Sequence, residues 1–154
     1  MPRRSAGVLV YRSGETGVEV LLAHPGGPLF ARKDDGHWAV PKGEHGPEED
    51  ALAAAHREFA EELGQPAPAG QAVPLGEARQ RSGKVNEVWA VEGDLAVGEV
   101  RSNLFSMQWP PRSGRYQEFP EIDRAQWFAL AQARTKLFPA QLPFLDRLEA
   151  LLGP

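Results

Sequence analysis

GEHGPEEDALAAAHREFAEELGQ, residues Gly43 to Gln65, is the stretch that decides how this chain is read. Gly46-Pro47 puts a proline at or near the first position of a helix, and Glu48, Glu49 and Asp50 fill the first turn, where they complement the helix dipole. Gly64 is a C-terminal stop signal, and Pro66 follows shortly after it. The punctuation predicts a helix over about 47–63. At roughly 100° per residue, Leu52, Ala55, Phe59 and Leu63 fall within about 80° of one another and form a core stripe. Glu58, Glu61 and Glu62 flank it at i, i+3 and i+4, where like charges repel by roughly 0.2–0.5 kcal/mol per pair. A helix selected for stability alone avoids that crowding. A helix that holds a hard divalent cation requires it, because such cations take oxygen ligands.

Outward from the helix, the chain reads as alternating strands and turns. Residues 5–12 and 18–23 are strands across the turn signal Ser13-Gly14-Glu15-Thr16-Gly17, which predicts a hairpin. Pro41 pushes Val40 toward an extended conformation, so a short strand is expected to run into a Gly-containing turn ahead of the helix. Residues 71–80 and 85–91 form a second strand pair around Ser82-Gly83-Lys84. Residues 92–103 are polar and 104–109 mixed. Pro110 to Arg115 is loop chemistry, and residues 122–128 form a strand or strand end. A helix is expected over 129–137 and a last one from Pro139, with Leu142, Leu145, Leu148 and Leu152 on one face. Trp38, Trp89 and Trp127 read as core.

The bulk properties narrow the class. The chain has 154 residues, 42% hydrophobic and 25% charged, as expected for one soluble domain spanning residues 1–154. No apolar run approaches the roughly 18 residues of a membrane span, and the first residues lack the pattern of a secretory leader. With no cysteine, disulfides, thiolate metal sites and thiol nucleophiles are excluded, in keeping with a cytoplasmic location. A net charge of −4 gives no electrostatic reason to expect polymeric nucleic acid as a partner.

The spacing carried by Gly43, Glu49, Arg57, Glu58, Phe59, Glu61, Glu62 and Gly64, G-x5-E-x7-R-E-U-x-E-E-x-G with U a bulky apolar residue, resembles the Nudix box. That box marks hydrolases that cleave nucleoside diphosphates linked to another moiety. The family pattern has an apolar residue after the last glycine, where this chain has Gln65, a change expected to weaken the helix cap rather than the chemistry. The resemblance implies an α/β fold, an α/β/α sandwich with a mixed central β-sheet. It implies Mg²⁺, or Mn²⁺, held by Glu58 and Glu62, with Glu61 joining or positioning a water and the Gly43 carbonyl adding a main-chain ligand. Arg57 and Glu49 would steady these carboxylates. The base that takes the proton of the attacking water varies across the family, so Glu58, Glu61 and a carboxylate from a later loop all stand open. In that loop Glu121 is preferred over Glu118.

Before the box, His37-Trp38-x-x-Pro41-Lys42-Gly43 resembles the run found in diadenosine polyphosphate and diphosphoinositol polyphosphate hydrolases. Lys42 is thereby the candidate for a phosphate oxygen. Trp109 or Tyr116 is a candidate for stacking on a base, and Arg112 or Arg115 for reaching a phosphate. The expected partner is a small phosphorylated substrate bound by a monomer or homodimer. The expected activity is hydrolysis of a phosphoanhydride in a nucleoside or dinucleoside polyphosphate. A nucleotide sensor without turnover and a diphosphoinositol polyphosphate hydrolase are the alternatives.

Overall fold

The computed structural model describes residues 2–15 and 17–153. A hairpin of β1 (Arg4–Gly14) and β2 (Gly17–Pro25) forms its centre. The sheet is completed by β3 (Lys42–His45), β4 (Val73–Arg79), β5 (Val85–Glu92) and β8 (Ile122–Ala129), in the order β4-β5-β1-β2-β8 with β3 paired to β1. The β1–β5 pair is parallel and the rest antiparallel, so the sheet is mixed, as expected. A separate two-stranded ribbon pairs β6 (Leu104–Gln108) with β7 (Tyr116–Pro120).

The central strands bury both faces, so side-chain parity divides their residues between two cores. Ala6, Val8, Val10, Leu21 and Ala23 meet Ala54, Ala55, Phe59 and Leu63 of α1 (Ala51–Leu63). Leu9, Val20 and Leu22 meet Trp38, Ala133 of α2 (Leu130–Lys136), and Phe144, Leu145 and Leu148 of α3 (Leu142–Leu152). Helices thus cover both faces of the sheet. Trp38 and Trp89 are buried; Trp127 is only partly so, with the Arg12 guanidinium 4.0 Å over its ring. His24 is fully buried, its two ring nitrogens facing Asp123 Oδ1 at 2.8 Å and the Lys33 carbonyl at 2.7 Å.

Three expectations are corrected. Helix α1 starts at Ala51, capped by Asp50, whose carboxylate accepts from Ala53 N–H at 3.0 Å. Pro47 lies instead in a turn closed by Glu49 N–H on the Gly46 carbonyl. Second, Lys42–His45 is itself a strand, not a turn, because β1 supplies its backbone partners. Third, Pro139 opens a short 3₁₀ turn, and the last helix follows it. Within the predicted stripe of α1, Leu52 is half-buried, and Ala54 is the buried residue that the wheel omits.

Phe59 joins α1 to the sheet and is fully buried. Phe59→Ala is expected to cost about 3–5 kcal/mol, measured as a lowered midpoint of urea unfolding.

Candidate functional site

The site forms where α1 lies under β3. Strand β3 can press against β1 because Gly7 has no side chain: a Cβ there would stand 2.6 Å from Lys42 Cβ and from the Pro41 carbonyl oxygen. Gly43 is constrained in the same way from below, since a Cβ at that position would overlap the Glu58 carboxylate. The backbone of Lys42-Gly43 therefore rests directly on the box glutamates. Lys42 N–H donates to Glu62 Oε1 at 2.7 Å. Beside it, Arg57 Nη1 donates to Glu58 Oε1 at 3.0 Å and to Glu61 Oε1 at 3.3 Å. Its Nη2 reaches Glu49 Oε2 at 3.0 Å. Glu49 could not do this from within the helix, because eight residues of helix span about 12 Å. The Gly46-Pro47 turn brings it back.

Burial dominates the electrostatics. It pushes the Glu62 carboxyl up to about 8, with Glu58 and Glu121 adding repulsion and the Lys42 N–H and ammonium opposing it. Glu58 is likewise raised, first by burial, against the pull of Arg57 and with the push of Glu61 and Glu121. The Lys42 ammonium is pushed down to about 8, mainly by burial and next by nearby Lys84, against Glu62 and Glu44. The Arg57 guanidinium holds Glu49 below the usual carboxylate range.

Glu121 belongs to this field, since it acts on both Glu58 and Glu62. It sits in the one-residue bend between β7 and β8, just ahead of the register shift where Ile122 and Arg124 pair with β2. Glu118 lies within β7 opposite Ser106, on the ribbon. The ribbon tip is set apart from the glutamates. Leu104 to Gln108 spans five residues, about 17 Å at the rise of a strand. Trp109 N–H bonds the Arg115 carbonyl at that tip, and Tyr116 beside it is 70% exposed. The structure thus brings together Lys42, Gly43, Glu49, Arg57, Glu58, Glu61, Glu62 and Glu121. It does not bring Trp109, Arg112, Arg115 or Tyr116 to them.

The chain is similar to known proteins in family pattern and in fold. A family model described as NUDIX domain matches residues 1–148. The chain belongs to the Nudix family. Its fold is shared with an Ap4A hydrolase of C. elegans, solved as a binary complex, at 21% identity and a TM-score of 0.68, covering 96% of this chain and 97% of that one. The NUDIX domain of Shewanella oneidensis NrtR, solved with ADP ribose, matches at 14% identity and 0.65, over 99% and 90%. A MutT protein of Methanosarcina mazei Go1 matches at 19% and 0.63, over 99% and 97%. A search of curated protein sequences finds no match. At the level of its family the chain is a Nudix pyrophosphohydrolase.

The Nudix carboxylates suit a hard cation in chemistry: Glu58 and Glu62 offer part-buried oxygens beneath the Gly43 backbone. As they stand, no three His, Asp or Glu groups among the described residues are gathered closely enough to hold one. The hydrogen bonds explain why. Glu58 and Glu61 are drawn to Arg57, and Glu62 to the Lys42 N–H. A cation between Glu58 and Glu62 would draw on the oxygens that these bonds do not use, Glu58 Oε2 and Glu62 Oε2. Gln65, the departure from the Nudix pattern, is not merely a lost apolar contact. Its Nε2 donates to the Ala96 carbonyl at 2.9 Å, tying the helix end to the segment that follows β5.

The raised Glu62 carboxyl carries a stability consequence in metal-free protein. Its folded value lies above the ordinary 4.5, so its contribution is fully present below that value and is lost as pH rises through about 8. Glu62→Gln carries no such loss. In EDTA the variant is expected to be the more stable protein at pH 8, by a few kcal/mol on the order of the pKa displacement, with the gap closing toward pH 4.5. Thermal unfolding of both proteins across pH reads the difference.

Proposed function

We propose that residues 1–154 act as a single Nudix domain that hydrolyses a phosphoanhydride in a nucleoside or dinucleoside polyphosphate, with Mg²⁺, or Mn²⁺, as cofactor. The observation that carries the reading is the shared field of Glu58, Glu62 and Glu121, in which burial leaves Glu62 raised to about 8 unless a cation compensates it. In this reading Glu58, Glu62 and the Gly43 carbonyl hold the cation, and Glu61 joins them or orients a water. A bound divalent ion neutralises phosphate charge and lowers the pKa of an attacking water. Arg57 keeps Glu58 and Glu61 in place while Glu49 holds Arg57 from the other side. Lys42 offers its ammonium to a phosphate oxygen. Glu121 accepts the water's proton at its carboxylate and releases it to solvent, with Glu58 and Glu61 the other acceptors in reach of the same chemistry.

The pre-box run and the shared fold of the C. elegans Ap4A hydrolase support the dinucleoside class. The ribbon tip, distant from the glutamates, fits a long substrate whose far base stacks on Trp109 or Tyr116. A sensor is disfavoured by the intact Glu58, Glu61 and Glu62. A diphosphoinositol polyphosphate calls for a broad basic cleft. Here Arg3 and Lys84 face Glu44, and Arg4 faces Glu77.

A panel of nucleoside and dinucleoside polyphosphates with Mg²⁺ tests the proposal by release of phosphate or mononucleotide. Turnover is expected in the wild type, abolished by EDTA and reduced by orders of magnitude in Glu58→Gln and Glu62→Gln, with both variants folded. A loss of only a few-fold in both variants contradicts the metal assignment.

A further inference from the structure

The segment after β5 returns across the end of α1 and is fastened there by backbone hydrogen bonds. The last carbonyls of a helix have no partner within it. Two of them are satisfied by this strap: Arg101 N–H donates to the Leu63 carbonyl at 2.9 Å, and Asn103 N–H to the Glu61 carbonyl at 3.1 Å. Gly64 permits the approach, since a Cβ there would overlap the Arg101 carbonyl. The strap then passes its position on to Glu121. The Asn103 carbonyl accepts the Glu121 N–H at 2.9 Å and also the Ser102 hydroxyl at 2.9 Å. Ser102 Oγ in turn accepts the Ile122 N–H at 3.0 Å. From the other side Gly26 N–H donates to the Glu121 carbonyl at 2.8 Å, and a side chain at Gly26 would overlap the Pro120 carbonyl.

A continuous chain of hydrogen bonds therefore runs from the Glu61 carbonyl on the box helix, through Asn103, to the backbone of Glu121. Most of its links are main chain. Ser102 is the side-chain link: it donates to Asn103 and accepts from Ile122, and so fixes both the strap carbonyl and the residue that follows Glu121. We propose that Ser102 is a positioning residue that sets Glu121 against the glutamates of α1. The inference rests on the reading of Glu121 as proton acceptor. Without its hydroxyl the bend between β7 and β8 keeps its strands but loses the bond from Ile122 that helps fix its angle to the box helix. Small displacements of a reacting group reduce the chemical step more than they reduce substrate binding.

The test uses Ser102→Ala and the isosteric pair Ser102→Thr and Ser102→Val, each alone and with Glu121→Gln, on the substrate with the highest turnover in Mg²⁺. Ser102→Ala and Ser102→Val are expected to lower kcat about tenfold with KM unchanged. Ser102→Thr, which keeps the hydroxyl, stays within about twofold of wild type. In the Glu121→Gln background the same changes have no further effect on kcat. Amide hydrogen exchange, a readout independent of turnover, is expected to quicken at Glu121 and Ile122 in Ser102→Ala and Ser102→Val and not in Ser102→Thr. If Glu121→Gln alone keeps wild-type kcat, the assignment of the proton acceptor fails and takes this inference with it. If Glu121→Gln is impaired but Ser102→Val equals Ser102→Thr, or lowers kcat equally in both backgrounds, the inference alone is overturned.

Discussion

Two part-buried carboxylates pressed against one stretch of backbone set the terms for the rest of this molecule. Glu62 accepts the Lys42 N–H, and Glu58 fills the space that a side chain at Gly43 would occupy. That contact requires α1 to lie against β3, β3 to lie against β1, and Gly7 to be bare where the two strands meet. It also forces like charges out of water, at a cost that the Phe59 core and the helix cap at Asp50 must offset. A fold optimised for stability has no reason to keep such a contact. The proposed cation site gives it one.

The parts around the contact serve to keep it oriented rather than to relieve it. Arg57 reaches Glu58, Glu61 and Glu49 with one guanidinium, a fork geometry that lysine lacks. The strap at Arg101 to Asn103 closes the other end of the helix and ties it to Glu121. Charge at the helix and charge at the bend that holds Glu121 are thus referenced to one frame, while the ribbon tip stands free of it. That division suits an enzyme in which the cleaved bond is fixed and the distal part of the substrate varies.

Much of the site was legible in the sequence because its residues share one helix, and helical spacing is computed from residue numbers alone. Gly64 and the Phe59 stripe could be read for the same reason. The helix start could not, because Pro47 and Asp50 are both good start signals, and the choice between them depends on Glu49 folding back to Arg57. Strand β3 was invisible since Lys-Gly-Glu-His has no apolar alternation; its conformation comes from pairing with β1. The role of Gln65 was also hidden, as its partner Ala96 lies 31 residues away. Glu121 could be named from the sequence, but the strap that holds it is made of backbone bonds and one serine, and backbone bonds leave no mark in a residue pattern.

The measurement that tests the account most directly is binding of Mn²⁺ without substrate, followed by the electron paramagnetic resonance signal of the free ion. Wild-type protein is expected to bind the ion with an affinity that strengthens as pH rises toward 8, because Glu62 must give up its proton to bind it. Glu58→Gln and Glu62→Gln are each expected to weaken binding severely, and the pH dependence is expected to lessen in Glu62→Gln, where only the raised Glu58 remains. Mn²⁺ affinity that is the same in wild type and in the double variant Glu58→Gln/Glu62→Gln would contradict the account.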